Sequence, residues 1–515
     1  MRNATKAEEG PDADRSGKEC CAEKQKRGPW EGQSKVRLWL RGHWRRCLGG
    51  GVLLALGIGL WFVVDELLLL PTRRRDYSPG DLLVGMEPPG RSSVLYPDFA
   101  NKTLLYSFHD CGCSGLYMES LIFVLSLSRF IPRIGAIAGR RCCPLPAAEQ
   151  QELNRLIDYG EYVLRSKKAV VDYLIIDAPA YAFGRYHMRA FAKHSRDPRF
   201  VVGRSMWETD RFPPHWTNQL WRYTDEVWVP SVQLMGVLHE AIDSLQGTYG
   251  STLSSNAISV PRVARVPECL LDSIWLAPQC LLEPVIAADS APFRFFSMFR
   301  FESRKGPDIL LRAFINEFLY EPNVFLHLHT WVVGRSASPE DDRRYLRNQL
   351  PEMFASWGYR NVPQPFLDRI VVVTDRSSAE NVPCMMHQYD AFVLPTRGEG
   401  WCLPCMEAMS SGLPVITTNW SAMPDFVNDD RGYLISAKVV PVDPSFGLGN
   451  WAEASVSELG QIMRHVATHR REARAKGLRA QQYVRQHHRQ EVCAFMMLEH
   501  LRKLEDVVWS GAQAN

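Results

Sequence analysis

The chain lacks an excess of charge of either sign: 515 residues carry 60 Lys and Arg against 57 Asp and Glu, a formal net charge of +3. That balance gives no electrostatic case for a nucleic-acid partner, and no basic cluster with interleaved aromatic residues supplies one locally. No internal sequence repeat is present, which excludes an array of like units. Paired metal-binding cysteine motifs are also missing. Cys402-x-x-Cys405 has the spacing of a redox or zinc half-site, but no second Cys-x-x-Cys or His pair follows, so that reading is set aside, as is Cys111-x-Cys113. What remains is ordinary globular composition, 46% hydrophobic and 23% charged, at a length that suits two or three domains with tails.

One uncharged apolar stretch stands out. Residues 48–64 carry no charge, and Leu67 to Leu70 continue the run after Asp65-Glu66. A bilayer core needs about 20 helical residues, so residues 47–70 are expected to form a transmembrane signal anchor. The flanking charge favours the N-terminal side: Lys35, Arg37, Arg41, Arg45 and Arg46 against Arg73, Arg74 and Arg75. The expectation is a single-pass type II protein of the Golgi or endoplasmic reticulum. Residues 1–46 would be a disordered cytosolic tail, 71–100 a stem, and the body luminal. Thirteen cysteines are many for a cytosolic enzyme and compatible with some disulfides in an oxidising lumen, though connectivity is not derivable. Asn101-Lys-Thr103 would then be a usable glycosylation acceptor, whereas Asn419-Trp-Ser421 is expected to be buried.

Beyond the stem, strand-like and helix-like runs alternate twice. Leu104 to Phe108, Tyr173 to Ile176, Phe200 to Val202 and Glu226 to Val229 read as strands of a first unit, residues 101–280. Phe295 to Phe299, Val324 to His329, Ile370 to Thr374, Ala391 to Leu394 and Val415 to Thr418 belong to a second, residues 290–475, with Cys280 to Pro292 as linker and 476–515 a helical tail. Such alternation predicts α/β architecture with parallel sheets covered on both faces.

The densest local signal lies between two strands of the second unit. After Ala391 to Leu394 come Thr396-Arg-Gly-Glu399-Gly400-Trp401-Cys402-Leu403-Pro404, then Glu407, then Gly412, which ends a helix, and Pro414 to Thr417, the next strand. This is strand, glycine-containing loop, helix, strand. Open α/β sheets bind ligands at the carboxyl ends of their strands. The amides of a helix start can hold a diphosphate, and a nearby glutamate can accept hydrogen bonds from sugar hydroxyls. A second group, Arg300 and Lys305 before Gly306, puts two cations at the end of another strand, suited to a diphosphate leaving group.

Glu399 to Ile416 resembles the donor-site signature of family-4 glycosyltransferases: Glu-Gly-aromatic-Gly-apolar-Pro, then Glu-Ala with Gly-apolar-Pro-Val-Ile. The spacing of Arg300 and Lys305 resembles the same family's Gly-Arg, four residues, Lys-Gly. The departures are Cys402 and Phe299, both where glycine is usual. The resemblance implies the GT-B fold: two Rossmann-like doubly wound domains facing across a cleft, the first for the acceptor and the second for the donor, with the last helix crossing back onto the first. It implies a retaining glycosyltransferase, a hexosyltransferase, that moves a sugar from a nucleotide-diphosphate sugar to a glycan, glycolipid or glycoprotein acceptor. Glu399, Arg300 and Lys305 would be catalytic. Glu407 would hold the ribose, and Gly400, Trp401, Cys402, Leu403 and Thr396 would complete the donor site.

On the acceptor side stand His109, Gly112, Gly115, Trp207 and Glu208, each with a structural role as its alternative. Asp-x-Asp, the metal mark of the other large glycosyltransferase fold, occurs at Asp12-Ala-Asp14, in the tail, so no metal and no cofactor are expected. The expected partners are the nucleotide sugar, the acceptor and, through residues 48–70, the membrane, with no nucleic acid. Two alternatives stand beside this reading. One is a cytosol-facing GDP-sugar transferase acting on lipid-linked glycans. The other is a non-catalytic sugar- or nucleotide-binding protein of the same fold.

Overall fold

Six strands with apolar side chains on both faces build the first sheet: β1 (Thr103–Phe108), β2 (Arg133–Ile137), β3 (Tyr173–Asp177), β4 (Phe200–Arg204), β5 (Glu226–Val229) and β6 (Arg262–Arg265). All neighbours are parallel, in the order β2-β1-β3-β4-β5-β6. Every residue of β1, β3, β4 and β5 is buried, as expected for parallel strands with helices on both faces. Those helices include α1 (Gly115–Leu127), α2 (Ala147–Arg165), α3 (Pro214–Tyr223) and α4 (Val232–Ser255). Ser114 caps α1 by accepting the Tyr117 amide at 3.1 Å.

The second sheet repeats the plan: β7 (Phe293–Arg300), β8 (Val324–Trp331), β9 (Ile370–Val373), β10 (Ala391–Leu394), β11 (Val415–Thr418) and β12 (Tyr433–Ile435), in the order β12-β11-β10-β7-β8-β9, again all parallel. Around it lie α5 (Pro307–Phe318), α6 (Pro339–Ser356), α7 (Leu403–Ser410), α8 (Val456–Thr468) and α9 (Arg470–His487). The strand order reverses between β7 and β10, the position at which doubly wound sheets open a crevice. An antiparallel hairpin, β13 (Ala437–Pro441) and β14 (Asn450–Ala454), follows β12.

This is a computed structural model, and it describes residues 96–108, 114–140, 143–166, 168–184, 197–255, 260–276, 291–332, 338–375, 377–443 and 446–513. All fall within one compact unit, Leu82–Asn515. The last helix, α10 (Gln490–Gln513), returns to the first sheet. Cys493 is disulfide-bonded to Cys269, Glu505 pairs with Lys102 at 2.8 Å, and the Tyr173 hydroxyl donates to Glu505 at 2.5 Å. The interior of the first half holds a wholly buried ion cluster: Arg204, at the end of β4, pairs with Glu119 of α1 and with Glu268, and donates to the Val266 carbonyl at 2.6 Å.

The membrane expectation is corrected. Among the described residues no helix is long and apolar enough to cross a membrane. The two longest, α4 and α10 at 24 residues each, carry His239, Glu240 and Asp243, and Arg502, Lys503 and Glu505, inside their spans. The segment named for the signal anchor, 47–70, lies outside the described residues, as do the tail 1–46, the stem as far as residue 95, and residues 280–290 of the linker. The transmembrane helix, the signal anchor, the membrane as a partner and the luminal type II placement are therefore withdrawn.

Candidate functional site

Two strand ends build the site. β7 ends at Arg300, and the chain then makes a tight turn, Ser303–Lys305, before α5. Gly306 closes that turn with φ +68°, and a Cβ there would lie 2.1 Å from the Pro395 carbonyl oxygen. Only glycine suits both the left-handed backbone and the close approach. Pro395 follows β10, so this glycine is what lets the two loops touch. The β10 loop runs to Cys402, which precedes α7 with φ +145°. That backbone region favours glycine, which accounts for the glycine usual at this position in the resembled signature. Cys402 and Cys405 are joined by a disulfide across the helix start, a pairing that the sequence, from which no connectivity was derivable, did not give.

Glu399 is the centre of the constellation. Its carboxylate accepts from Lys305 Nζ at 2.6 Å (Oε1) and 2.8 Å (Oε2), from Arg304 Nη1 at 2.9 Å, and from Thr396 Oγ1 at 2.8 Å. Glu399 is 6% exposed. Burial pushes its pKa up, but Lys305 and Arg304 outweigh that and hold it at about 2. The same burial pushes the Lys305 ammonium below its ordinary value, partly offset by Glu399. From behind, the Ser421 hydroxyl donates to the Glu399 carbonyl.

Glu407 is the electrostatic opposite. It is partly buried on the first turns of α7, and no described residue pairs with its carboxyl group. Burial alone raises it to about 7. An unpaired carboxyl group with this shift is poised to accept hydrogen bonds from a ligand.

The other expected residues divide. Arg300 is exposed and pairs with Glu302, its Nε donating at 2.7 Å, and does not reach Glu399. Thr396 is wholly buried and serves Glu399. Trp401 is 2% exposed, with its ring 4.7 Å from Phe426 and 5.7 Å from His488, so it packs behind the loop. Gly400 abuts Met206, whose Cβ would lie 2.9 Å from an added Cβ, and Gly398 abuts the Glu208 carbonyl oxygen at 2.1 Å on the same construction. These contacts bring the β4 loop of the first sheet against the β10 loop of the second. Gly115, at the start of α1, faces Leu403 in the same way, 3.7 Å from its Cδ1.

Trp207 is held in its own loop, its Nε1 donating to Thr209 Oγ1 at 2.7 Å and to the Arg211 carbonyl at 2.8 Å, with Trp216 4.7 Å away. Glu208 stands 3.9 Å from Arg304. His109 and Gly112 lie outside the described residues.

Sequence reasoning missed two contributors. Arg304 is the first; its neighbour Arg300 matched the family spacing and drew the assignment. Ser421 is the second; the sequence placed Asn419-Trp-Ser421 beside the donor loop without giving Ser421 a part in it. Arg397, for which a sugar contact and a structural loop role stood as equal expectations, turns away from Glu399: it forms a bidentate pair with Asp308 at 2.8 Å for each nitrogen and reaches Glu453 at 2.7 Å. The β4 loop is also tied to the β14 strand, where Asp210 accepts from the Asn450 amide at 2.7 Å and side chain at 2.9 Å.

Residues 293–443 match the family model of the glycosyl transferases group 1. The chain is 28% identical over 144 residues to the lipopolysaccharide core biosynthesis mannosyltransferase LpsB of Rhizobium meliloti (strain 1021), covering 27% of this chain and 35% of that protein. It is 32% identical over 119 residues to the mannosylfructose-phosphate synthase of Agrobacterium fabrum (strain C58), covering 23% of this chain and 24% of that protein. The matches thus span about a third and a quarter of these relatives' lengths. Among solved structures, Anabaena Alr3699/HepE in complex with UDP-glucose is similar in fold, with TM-score 0.52 and 14% identity, covering 78% of this chain and 99% of that one.

Proposed function

We propose that this chain is a GT-B-fold glycosyltransferase related to the group-1 enzymes, and that it transfers a hexose from a nucleotide-diphosphate sugar to a glycan, glycolipid or glycoprotein acceptor with retention of anomeric configuration. The observation that carries this reading is the buried Glu399 carboxylate, held by Lys305 and Arg304 at the carboxyl ends of β7 and β10. Mannose in the names of the two relatives and UDP-glucose in the solved structure support a hexose as the transferred sugar, and the last favours UDP as carrier.

In this reading the second sheet binds the donor. Glu407 accepts the ribose hydroxyls, the amides at the start of α7 face the diphosphate, and Lys305 with Arg300 neutralises the charge that grows as the glycosidic bond breaks. Glu399 receives the hydroxyls of the transferred sugar. The acceptor hydroxyl attacks from the face that the nucleotide leaves, and its proton passes to a phosphate oxygen of the departing diphosphate. No protein base is required for that step, and the two cations make transfer independent of a divalent metal. The acceptor approaches from the first sheet, past Gly115 and the β4 loop with Glu208.

The test incubates the purified protein with UDP-, GDP- and ADP-hexoses plus EDTA and measures released nucleotide. One donor should be hydrolysed slowly without acceptor. Glu399→Ala should lower turnover roughly 100-fold or more while nucleotide binding is retained. Nucleotide binding without turnover by the unaltered protein, with acceptors supplied, would favour a non-catalytic binding protein. No binding of any nucleotide would sink the site assignment.

A further inference from the structure

Lys305 has two prospective claims on it. An ammonium has three N–H donors, and here it lies within 2.8 Å of both oxygens of Glu399. A bound diphosphate would compete for those donors, and a buried carboxylate that loses its cation is expensive to keep. Arg304 faces no such conflict. Its Nη1 donates to Glu399 at 2.9 Å and to the Gly398 carbonyl at 2.6 Å, and its Nη2 donates to Glu302 at 3.1 Å. It is 7% exposed, fixed by partners on three sides, and a guanidinium does not deprotonate in a protein.

Building on the proposed function, we propose that Arg304 is a positioning residue that holds Glu399 as a carboxylate, in place, when the donor diphosphate draws Lys305 away. The groups around Glu399 support that division of labour. From the β7 turn come Lys305 and Arg304; from its own loop comes Thr396. Arg397, two residues before it, is taken up by Asp308 and Glu453. Glu208, from the β4 loop, and Glu302 face Arg304 at 3.9 and 3.1 Å. No other cation contacts the Glu399 carboxylate among the described residues.

The experiment is calorimetry of UDP binding to the whole protein at pH 5.5, in buffers of different ionisation enthalpy, which counts protons taken up. In the unaltered protein Glu399 should take up none. In Arg304→Gln, UDP binding should take up at least about 0.3 proton more, and that excess should vanish in the Arg304→Gln/Glu399→Gln double variant. Arg304→Lys should restore the unaltered count. Where turnover is present, Arg304→Gln should lower kcat with donor KM within about threefold and move the acid limb of the kcat profile to higher pH. Equal proton counts in Arg304→Gln and the unaltered protein would overturn the proposal.

Should Arg304→Gln not fold, Lys305→Gln tests the same point. Arg304 alone should then keep Glu399 ionised, and a Glu399-dependent proton uptake in that variant would overturn the inference. UDP binding without sugar transfer would sink the transfer reading while leaving this test intact. Failure to bind UDP would remove both.

Discussion

A carboxyl group buried beside two cations and one buried beside none respond oppositely to the same environment, and Glu399 and Glu407 are such a pair. Glu399 at about 2 is charged at any working pH. Glu407 at about 7 is not. Its folded-state value is raised above the ordinary glutamate value, so the cost of ionising it is absent at low pH and grows as pH rises through that window. Ribose hydroxyls would donate to the charged form and lower its pKa, so nucleotide binding expels a proton and tightens as pH rises. UDP should bind about tenfold more weakly at pH 6 than at pH 8, and Glu407→Gln should remove that part of the dependence, as read by titration calorimetry. UDP affinity with the same pH slope in both proteins would refute the assignment. At this scale the sequence pointed to the two glutamates and Lys305 as candidates, but not to Arg304, which shares the Glu399 carboxylate with Lys305. Residues 300 to 305 cross from a strand end into a tight turn, and which of two arginines faces inward depends on that turn's backbone. The resemblance places Trp401 in the donor site, yet the loop directs its ring into the interior against Phe426 and His488.

At the scale of elements, the strands rich in apolar and β-branched residues were legible: β1, β3, β4, β5, β7, β8, β9, β10 and β11 are all found close to their expected places. Two of the strands that escaped notice have mixed sequences. β2 is Arg-Ile-Gly-Ala-Ile, and its Gly135 lets the backbone of α2 come so close that an added Cβ would lie 2.6 Å from the Gly160 Cα. β6 is Arg-Val-Ala-Arg, an edge strand with one fully buried residue. Neither alternates nor runs apolar, so only pairing with a neighbour defines it. The turn between β7 and α5 is the element most exposed to a single change. Gly306→Ala would force a side chain into a left-handed backbone and against the Pro395 carbonyl, at a cost of about 2 kcal/mol or more. Its denaturation midpoint should fall accordingly, and turnover should fall further than stability, because the same turn carries Arg304 and Lys305. A variant with unchanged midpoint and activity would show that the two loops do not need this approach.

At the scale of the whole molecule, the ties between the two sheets among the described residues include the β4 and β10 loops in contact, the Asp210–Asn450 pair, Asp425 accepting from the Val232 amide, and the return of α10 to the first sheet. A return of the final helix was expected from the resemblance, but its fastening was not, because cysteines 224 residues apart give no local signal of pairing. The Cys269–Cys493 disulfide closes that long loop at the base of α10, beside the buried contacts of Met497, Leu498 and Leu501. A cross-link of such span acts chiefly on the unfolded chain. Cys493→Ser, whose side chain is close in size, should therefore lower stability by roughly 2–5 kcal/mol under non-reducing conditions. A thiol reductant should destabilise the unaltered protein and leave the variant less affected. Nucleotide affinity should hold below the new melting temperature, since the disulfide touches none of the Glu399 contacts. Loss of UDP binding in the folded variant would mean that the seating of α10 reaches the donor site, with Trp401 against His488, at the end of the preceding helix, as the path between them.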